Sequence, residues 1–257
     1  MDAIELRRKL RIKLKNVLPK RFAVISCHVL WREIAYYSSQ LPHSYNFCFL
    51  EQGLHDSPEL LQQIIQDKVE EFDTESYDAI LIGYGLCGKG LASLKAGRVP
   101  LVVVRAHDCI TLFLGSRKRY KEYFSKHPGT YWFTPGWIED NIMPGPDRDS
   151  AVREIFRETY GEENVEFIIK SMENWKNNYD TAVYIDLGIG NRDWAREYTK
   201  KCANYMGWKY KEMKGDPSLL LRWLFGNWSN SNDFLVLEPG EKLVPTFNDE
   251  VFDKVSD

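Results

Sequence analysis

Three cysteines each stand at the end of a short apolar run, and these are the residues of the chain best suited to chemistry. They are Cys27, Cys87 and Cys109, and the runs are Phe22–Ser26, Ala79–Ile82 and Leu101–Val104. A thiolate is both a soft metal ligand and a nucleophile. Three thiolates leave one position open on a tetrahedral zinc ion, as in catalytic zinc sites, and they also suit an iron–sulfur cluster.

The spacing of these cysteines gives no support of its own, because the sequence contains no CxxC pair. A cysteine that follows a strand is commonly a packed core residue. The case for a shared site therefore depends on the three runs being neighbouring strands. Cys48 and Cys202 fall inside a predicted strand and a predicted helix, and we interpret both as packing residues.

Polar residues near the cysteines are candidates for catalytic roles. His107 precedes Cys109 by two positions and could ligate a metal or act as an acid or base, with Asp108 orienting it. Glu33 lies in the helix predicted after Cys27, and its carboxylate could reach the same cleft or remain in water. Arg117 could bind a carboxylate or phosphate, and a surface ion pair is the alternative.

Four glycines lie around Cys87, but their spacing matches neither GxGxxG nor the P-loop. We interpret Gly85 and Gly88 as cofactor-binding positions, since glycine lets the backbone turn tightly and approach a ligand. The chain after the later strand Thr181–Ile185 carries a weaker glycine pattern.

The elements that would position these residues form an α/β pattern. The three runs above and Tyr45–Leu50 are predicted strands, bounded by glycine and proline. Helices are expected after Cys27, from Ser57-Pro58 to residue 72, within Gly90–Gly97 and over Ile110–Phe124. The pattern predicts a doubly wound, Rossmann-like or flavodoxin-like, mostly parallel sheet. Its common strand order, 2-1-3-4, would bring the three cysteines to one sheet edge.

Four segments are expected in all. Residues 1–21 form a basic helix, residues 22–127 the first α/β half with the cysteine site, residues 128–149 an aromatic, Pro/Gly-rich linker or lid, and residues 150–257 a second α/β half. The basic helix fits a surface helix better than a membrane or nucleic-acid arm. A weak repeat between the halves fits ordinary helix capping, used twice, better than common origin.

Composition excludes several classes of protein. The chain has 257 residues, 44% of them hydrophobic, and a net charge of −3, which gives no argument for nucleic-acid binding. No apolar run approaches the roughly 20 residues of a membrane span, and the N-terminus lacks the apolar core of a signal peptide. Five cysteines without a signal argue for a cytoplasmic protein with reduced thiols.

Longer motifs resemble a known family. Tyr84–Gly88, Arg105–Thr111 and Leu114–Arg117, with Pro128–Trp137 and the Cys27 region, are similar to the bacterial and archaeal domain of unknown function 1638 family. The resemblance implies that Cys27, Cys87 and Cys109 are the family's recurring cysteines. It also implies a role in anaerobic one-carbon metabolism, near corrinoid-dependent methyl transfer, with a corrinoid protein or methyltransferase as partner.

Three functional hypotheses follow. The first is a metal-thiolate protein that acts as a methyltransferase component, with zinc held by the three cysteines and with His107, Glu33 and Arg117 as neighbouring polar groups. The second is an iron–sulfur protein for electron transfer or reductive activation. The third is a non-catalytic module whose glycine turns hold a small ligand.

Overall fold

A computed structural model describes residues 17–86, 90–229, 232–246, 248 and 250–256 of the chain. By its internal contacts the chain divides into two compact units. The first unit comprises Met1–Arg117 and Asp216–Asp257, and the second comprises Lys118–Gly215.

The elements alternate between strand and helix over most of the chain. The strands are β1 Arg21–Cys27, β2 Ser44–Leu50, β3 Ala79–Gly83, β4 Leu101–Val104, β5 Thr130–Phe133, β6 Thr181–Asp186, β7 Lys209–Lys214, β8 Phe234–Leu237, β9 Glu241–Pro245 and β10 Phe252–Ser256. The α-helices are α1 Trp31–Ser38, α2 Pro58–Phe72, α3 Ile110–Leu114, α4 Arg117–Lys126, α5 Pro135–Asp140, α6 Pro146–Tyr160, α7 Glu162–Met172, α8 Arg192–Met206 and α9 Ser218–Phe225. Short 3₁₀ helices cover His28–Leu30, Gln52–Asp56 and Glu173–Asn178.

A five-stranded sheet organises the first unit, in the order β2-β1-β3-β4-β8. Its first four strands are parallel, and β8 runs antiparallel to β4. Strands β3 and β4 are buried along their whole length, as is β1 after Arg21. This continuous burial explains their unbroken apolar runs, since a strand covered on both faces needs no polar alternation. A mixed α/β fold with a mostly parallel sheet is confirmed, with the expected neighbours β1, β3 and β4.

Two predicted helices differ from the structure. Residues 90–100, which precede β4, contain turns and an isolated bridge from Lys95 to Lys242 rather than a helix. The single helix expected over Ile110–Phe124 is divided into α3 and α4, because Gly115 adopts a left-handed φ of 73° that ends α3. A Cβ at Gly115 would lie 2.5 Å from the carbonyl oxygen of Asp216, so this turn requires glycine.

The second unit has its own parallel sheet, in the order β5-β6-β7. Its core includes Phe133, Met143, Tyr184, Cys202 and Ala203. The segment 128–149 was expected to be a linker or lid, yet it supplies β5 and α5 to this unit. Its aromatic residues form a strand because they pack into a core of their own.

The boundaries of the units also differ from the expected halves. Residues 216–257 were assigned to the second half, but β8 pairs with β4 in the first sheet, and α9 packs on α1. The tail forms an antiparallel pair of strands, β9 and β10. Most of the predicted N-terminal basic helix lies outside the described residues. In the described part of the chain, no helix is long and apolar enough to cross a membrane.

Candidate functional site

The carboxyl ends of three adjacent parallel strands meet at one edge of the first sheet. Ser26 of β1 lies opposite Gly83 of β3, and Ile82 of β3 lies opposite Val103 of β4. The residues just beyond these pairs therefore leave the sheet side by side. In open α/β sheets this edge is where ligands bind.

Cys27 stands at this edge, as the last residue of β1. Its side chain is buried, with the residue only 1% exposed. The Sγ atom of Cys27 lies 3.4 Å from Nε2 of His55. His55 belongs to the 3₁₀ helix Gln52–Asp56, which follows β2, and Leu50 at the end of β2 pairs with Cys27. The register of β1 and β2 thus brings the histidine to the thiol.

The surroundings of His55 favour its neutral imidazole. Burial lowers the pKa of His55, and the nearby charge of Asp56 raises it by less. The ring centroid lies 5.7 Å from that of Tyr84, a buried residue just after β3. A neutral imidazole can donate through one nitrogen and accept, or bind a metal, through the other.

The loops after β3 and β4 pack closely on each other. A Cβ at Gly85 would lie 2.7 Å from both Cα and the backbone nitrogen of Asp108. The backbone N–H of Leu86 donates to the carbonyl oxygen of Ala106 over 2.8 Å. Gly85 therefore allows the β3 loop to touch the residue that precedes Cys109, and Cys109 itself is buried, at 5% exposure.

Two of the predicted site residues, Cys87 and Gly88, lie outside the described residues. The structure therefore describes Cys27 and Cys109 at this edge but not Cys87. In the described part of the chain, no cluster of three or more His, Cys, Asp or Glu side chains has the geometry of a metal site. Cys27 and His55 are two neighbouring side chains that could each bind a metal ion, and a third ligand stays a prediction.

The other candidate side chains have different surroundings. His107 is exposed, and Asp108 accepts a hydrogen bond at 3.0 Å from the backbone N–H of Ile110. Glu33 is buried at 1% exposure, so the solvated alternative is wrong for it. Its charge adds to burial in raising the pKa of Tyr37, one turn along α1. The Nη1 group of Arg117 donates to the carbonyl oxygen of Asn232.

The two cysteines interpreted as packing residues lie inside regular elements, Cys48 in β2 and Cys202 in α8. Cys202 is fully buried in the core of the second unit, where burial raises the pKa of its thiol to about 11. Cys48 lies inside β2 and is half-buried, and burial raises its pKa as well.

His55 was not among the residues selected from the sequence. A signal was present, since His55 follows the second strand much as the cysteines follow the others. The sequence placed Arg105 beside His107, Asp108 and Cys109 but assigned it no role, although it is the first residue after β4 and is buried there at 7% exposure.

Comparison with known proteins gives one match. The family model described as a protein of unknown function, DUF1638, matches residues 49–224, which is more than half of the chain. The matched stretch includes His55, Cys87, Arg105 and Cys109, whereas Cys27 precedes it. No curated protein matches the chain, and no solved structure does.

Proposed function

The chain belongs to the DUF1638 family of proteins of unknown function, and from its strand-end site we propose that it binds a transition metal ion, zinc first, through cysteine and histidine. The proposed ligands are Cys27, His55 and Cys109, together with Cys87. The observation that supports this proposal is the 3.4 Å separation between Sγ of Cys27 and Nε2 of His55.

That separation is the one expected of two ligands on one metal ion. With Zn–S near 2.3 Å, Zn–N near 2.05 Å and a tetrahedral angle, the sulfur and nitrogen stand about 3.6 Å apart. The neutral imidazole that burial favours at His55 is also the form that binds metal, because a protonated Nε2 has no lone pair to offer.

The nitrogen donor favours zinc over an iron–sulfur cluster. Zinc sites commonly combine cysteine and histidine, whereas most iron–sulfur clusters are held by cysteine alone. Four protein ligands would complete the tetrahedral shell of zinc, so the ion would act as a Lewis acid toward a substrate thiol only if that thiol replaced one of them. The chain itself positions the proposed ligands: β1 fixes Cys27, and the contact of Gly85 with Asp108 fixes the start of the β4 loop.

The same contact would suit a metal-free pair in which His55 takes the proton of a nucleophilic thiol. The burial of Cys27, at 1% exposure, argues against that alternative, because an attacking sulfur must meet its substrate.

A role in corrinoid-linked one-carbon metabolism, as a methyltransferase component with a corrinoid protein as partner, is supported by the family resemblance alone. His107 and Glu33 are proposed as neighbouring polar groups, and Gly85 and Gly88 as backbone positions close to the ligand.

We also propose that the first unit is doubly wound in the Rossmann-like or flavodoxin-like manner. The order β2-β1-β3-β4 and the parallel pairing of those strands support this proposal.

Elemental analysis of protein purified without oxygen tests the metal proposal. We expect a stoichiometric amount of zinc, lost on treatment with a strong chelator. Cys27→Ser, His55→Ala, Cys87→Ser and Cys109→Ser should each lower the zinc content at least several-fold. Cys48→Ser is the matched control, since Cys48 is a half-buried thiol of the same unit, inside β2 and away from the strand ends.

Three results would overturn the proposal. Wild-type protein without metal would exclude it, and so would Cys27→Ser protein with full zinc content. A brown protein with iron and acid-labile sulfide would replace zinc with a cluster. Circular dichroism on each variant shows whether a loss of metal reflects a loss of fold.

A further inference from the structure

Arg105 is a buried cation at the ligand-binding edge of the first sheet. It follows β4 directly, and the residue is 7% exposed. Its Nη1 group donates to the carbonyl oxygen of Glu250 at 2.9 Å and to that of Phe252. One side of the guanidinium is therefore engaged with the chain that leads into β10.

The opposite edge of the same guanidinium is not engaged in this way. The Nε–H of Arg105 is buried and has no hydrogen-bond partner in the part of the chain that the structure describes. Nε and Nη2 together form the planar fork that binds a carboxylate or phosphate through two parallel hydrogen bonds. A buried donor without a partner is costly, so it calls for an explanation, and an ordered water, an ion or a bound ligand can supply the missing acceptor.

A second arginine, Arg117, is bound next to Arg105 in the fold. The backbone N–H of Arg105 donates to the carbonyl oxygen of Asp233 over 2.9 Å, and Nη1 of Arg117 donates to that of Asn232. Consecutive carbonyl groups thus bind the backbone of Arg105 and the side chain of Arg117. Burial is the main cause that lowers the pKa of Arg105, and the like charge of Arg117 lowers it in addition.

The acidic side chains near Arg105 do not bind its Nε–Nη2 edge in the described part of the chain. Glu250 approaches Nη1 of Arg105 at 3.5 Å, on the side already bound to carbonyl groups, and its side chain is 51% exposed. Asp233 is paired with Arg222 at 2.7 Å. Asp253 acts on Arg105 through its charge and is the weakest of these influences.

We propose that Arg105, with Arg117 beside it, binds an oxyanion group of the substrate, a carboxylate or a phosphate, through its Nε–Nη2 edge. Cys109 follows Arg105 by four residues, so the anion would be held at the same strand ends as the proposed metal site. The inference stands on the arginine geometry and does not require a metal.

The test uses the purified full chain with inorganic phosphate and with acetate as probes, against sodium chloride of equal ionic strength. At ten times its dissociation constant, the bound anion should raise Tm by about 3 °C, because it stabilises only the folded state. Arg105→Lys keeps the charge but removes the fork, and it should abolish the rise. Arg117→Gln should reduce affinity several-fold. Arg98→Gln, at an exposed arginine of the same unit, should bind as the wild type does.

A direct signal covers the case in which Arg105→Lys fails to fold. The Nε–H resonance of Arg105 in a ¹H–¹⁵N spectrum of wild-type protein should shift on titration with the bound probe and not with chloride. The relative response to phosphate and acetate shows which oxyanion the site prefers. Equal stabilisation of the protein by chloride would overturn the proposal. So would an Nε–H resonance that does not shift with either anion, together with unchanged anion affinity in the Arg117→Gln protein. In that case Arg105 serves only to hold the C-terminal strand.

Repeating the titration after chelation separates this inference from the metal proposal. Anion binding by metal-free protein supports the arginine site whatever the outcome of elemental analysis. Metal-loaded protein that responds to neither anion leaves the metal proposal standing and excludes the arginine site.

Discussion

Cys27 and His55 stand 28 positions apart in sequence, yet Sγ of the first lies 3.4 Å from Nε2 of the second. The contact depends on the pairing of β1 with β2, which places Cys27 opposite Leu50. A shift of one residue in that register would turn Cys27 to the other face of the sheet and separate the pair.

Replacing His55 should change how stability depends on pH. Burial lowers the pKa of His55 below its ordinary value of 6.5, so the unfolded chain takes up a proton before the folded protein does. Stability therefore falls as the pH drops below about 6.5, by up to about 1.4 kcal/mol per pH unit for one such group. His55→Gln should flatten this slope in urea unfolding between pH 5 and pH 8.

A second histidine serves as a reference for that measurement. His43 is also buried, which lowers its pKa, so the His55→Gln protein should retain part of the slope. An unaltered slope in His55→Gln protein would contradict the burial of a neutral imidazole.

Gly85→Ala should destabilise the protein by forcing the β3 and β4 loops apart. The added Cβ would stand 2.7 Å from the backbone of Asp108, and backbone atoms cannot move aside as a side-chain tip can. We expect a loss of about 1–3 kcal/mol in the free energy of unfolding. Gly53→Ala is the control, because a Cβ there meets nothing within 4 Å. Equal effects of the two substitutions would show that the loops do not pack as described.

Asp186 should stabilise the second unit through its arginines. Its carboxylate accepts hydrogen bonds from Gly188, Arg192 and Arg196. Burial raises the pKa of Asp186. The hydrogen bonds from these donors and the charges of the two arginines lower it by more, so the pKa of Asp186 is below its ordinary value. Asp186→Asn should cost about 2 kcal/mol at neutral pH, where the wild-type carboxylate is charged.

The sign of that effect gives its pH dependence. Stability from a carboxylate of lowered pKa is complete above the unfolded value and is lost as the pH falls through the folded one. The difference between wild type and Asp186→Asn should therefore shrink below about pH 4. Asp193→Asn is the control, since Asp193 also pairs with Arg196 but is 95% exposed, and it should cost under about 0.5 kcal/mol.

Thr134 should contribute more as a helix cap than Ser57 does. The Oγ1 atom of Thr134 accepts a hydrogen bond at 3.1 Å from the backbone N–H of Trp137, at the start of α5. Ser57 occupies the corresponding position before α2, as predicted, but its side chain makes no capping bond. Thr134→Val, which keeps the shape, should cost about 1 kcal/mol, and Ser57→Ala clearly less. Thermal unfolding of the two variants would measure both values, and equal losses would contradict the assignment.

The strands were the most predictable part of this protein. Leu101–Val104 was predicted with the bounds that the structure gives, and Ala79–Ile82 falls one residue short of β3. A strand that is buried on both faces is a continuous run of apolar residues, so its few residues are enough to predict it. The division between α3 and α4 was missed because the turn at Gly115 depends on its contact with Asp216, 101 positions further along the chain.

The sequence by itself determined which cysteines follow strands, and that β1, β3 and β4 are neighbours. Only the tertiary structure decided which side chains meet those strand ends. His55 reaches Cys27 through a strand register, and Arg105 reaches Glu250 across 145 positions. An apolar pattern involves only a few neighbouring residues, so strands and helices can be predicted from it. A contact between distant side chains depends on how loops and strands pack, and no short stretch of the chain encodes it.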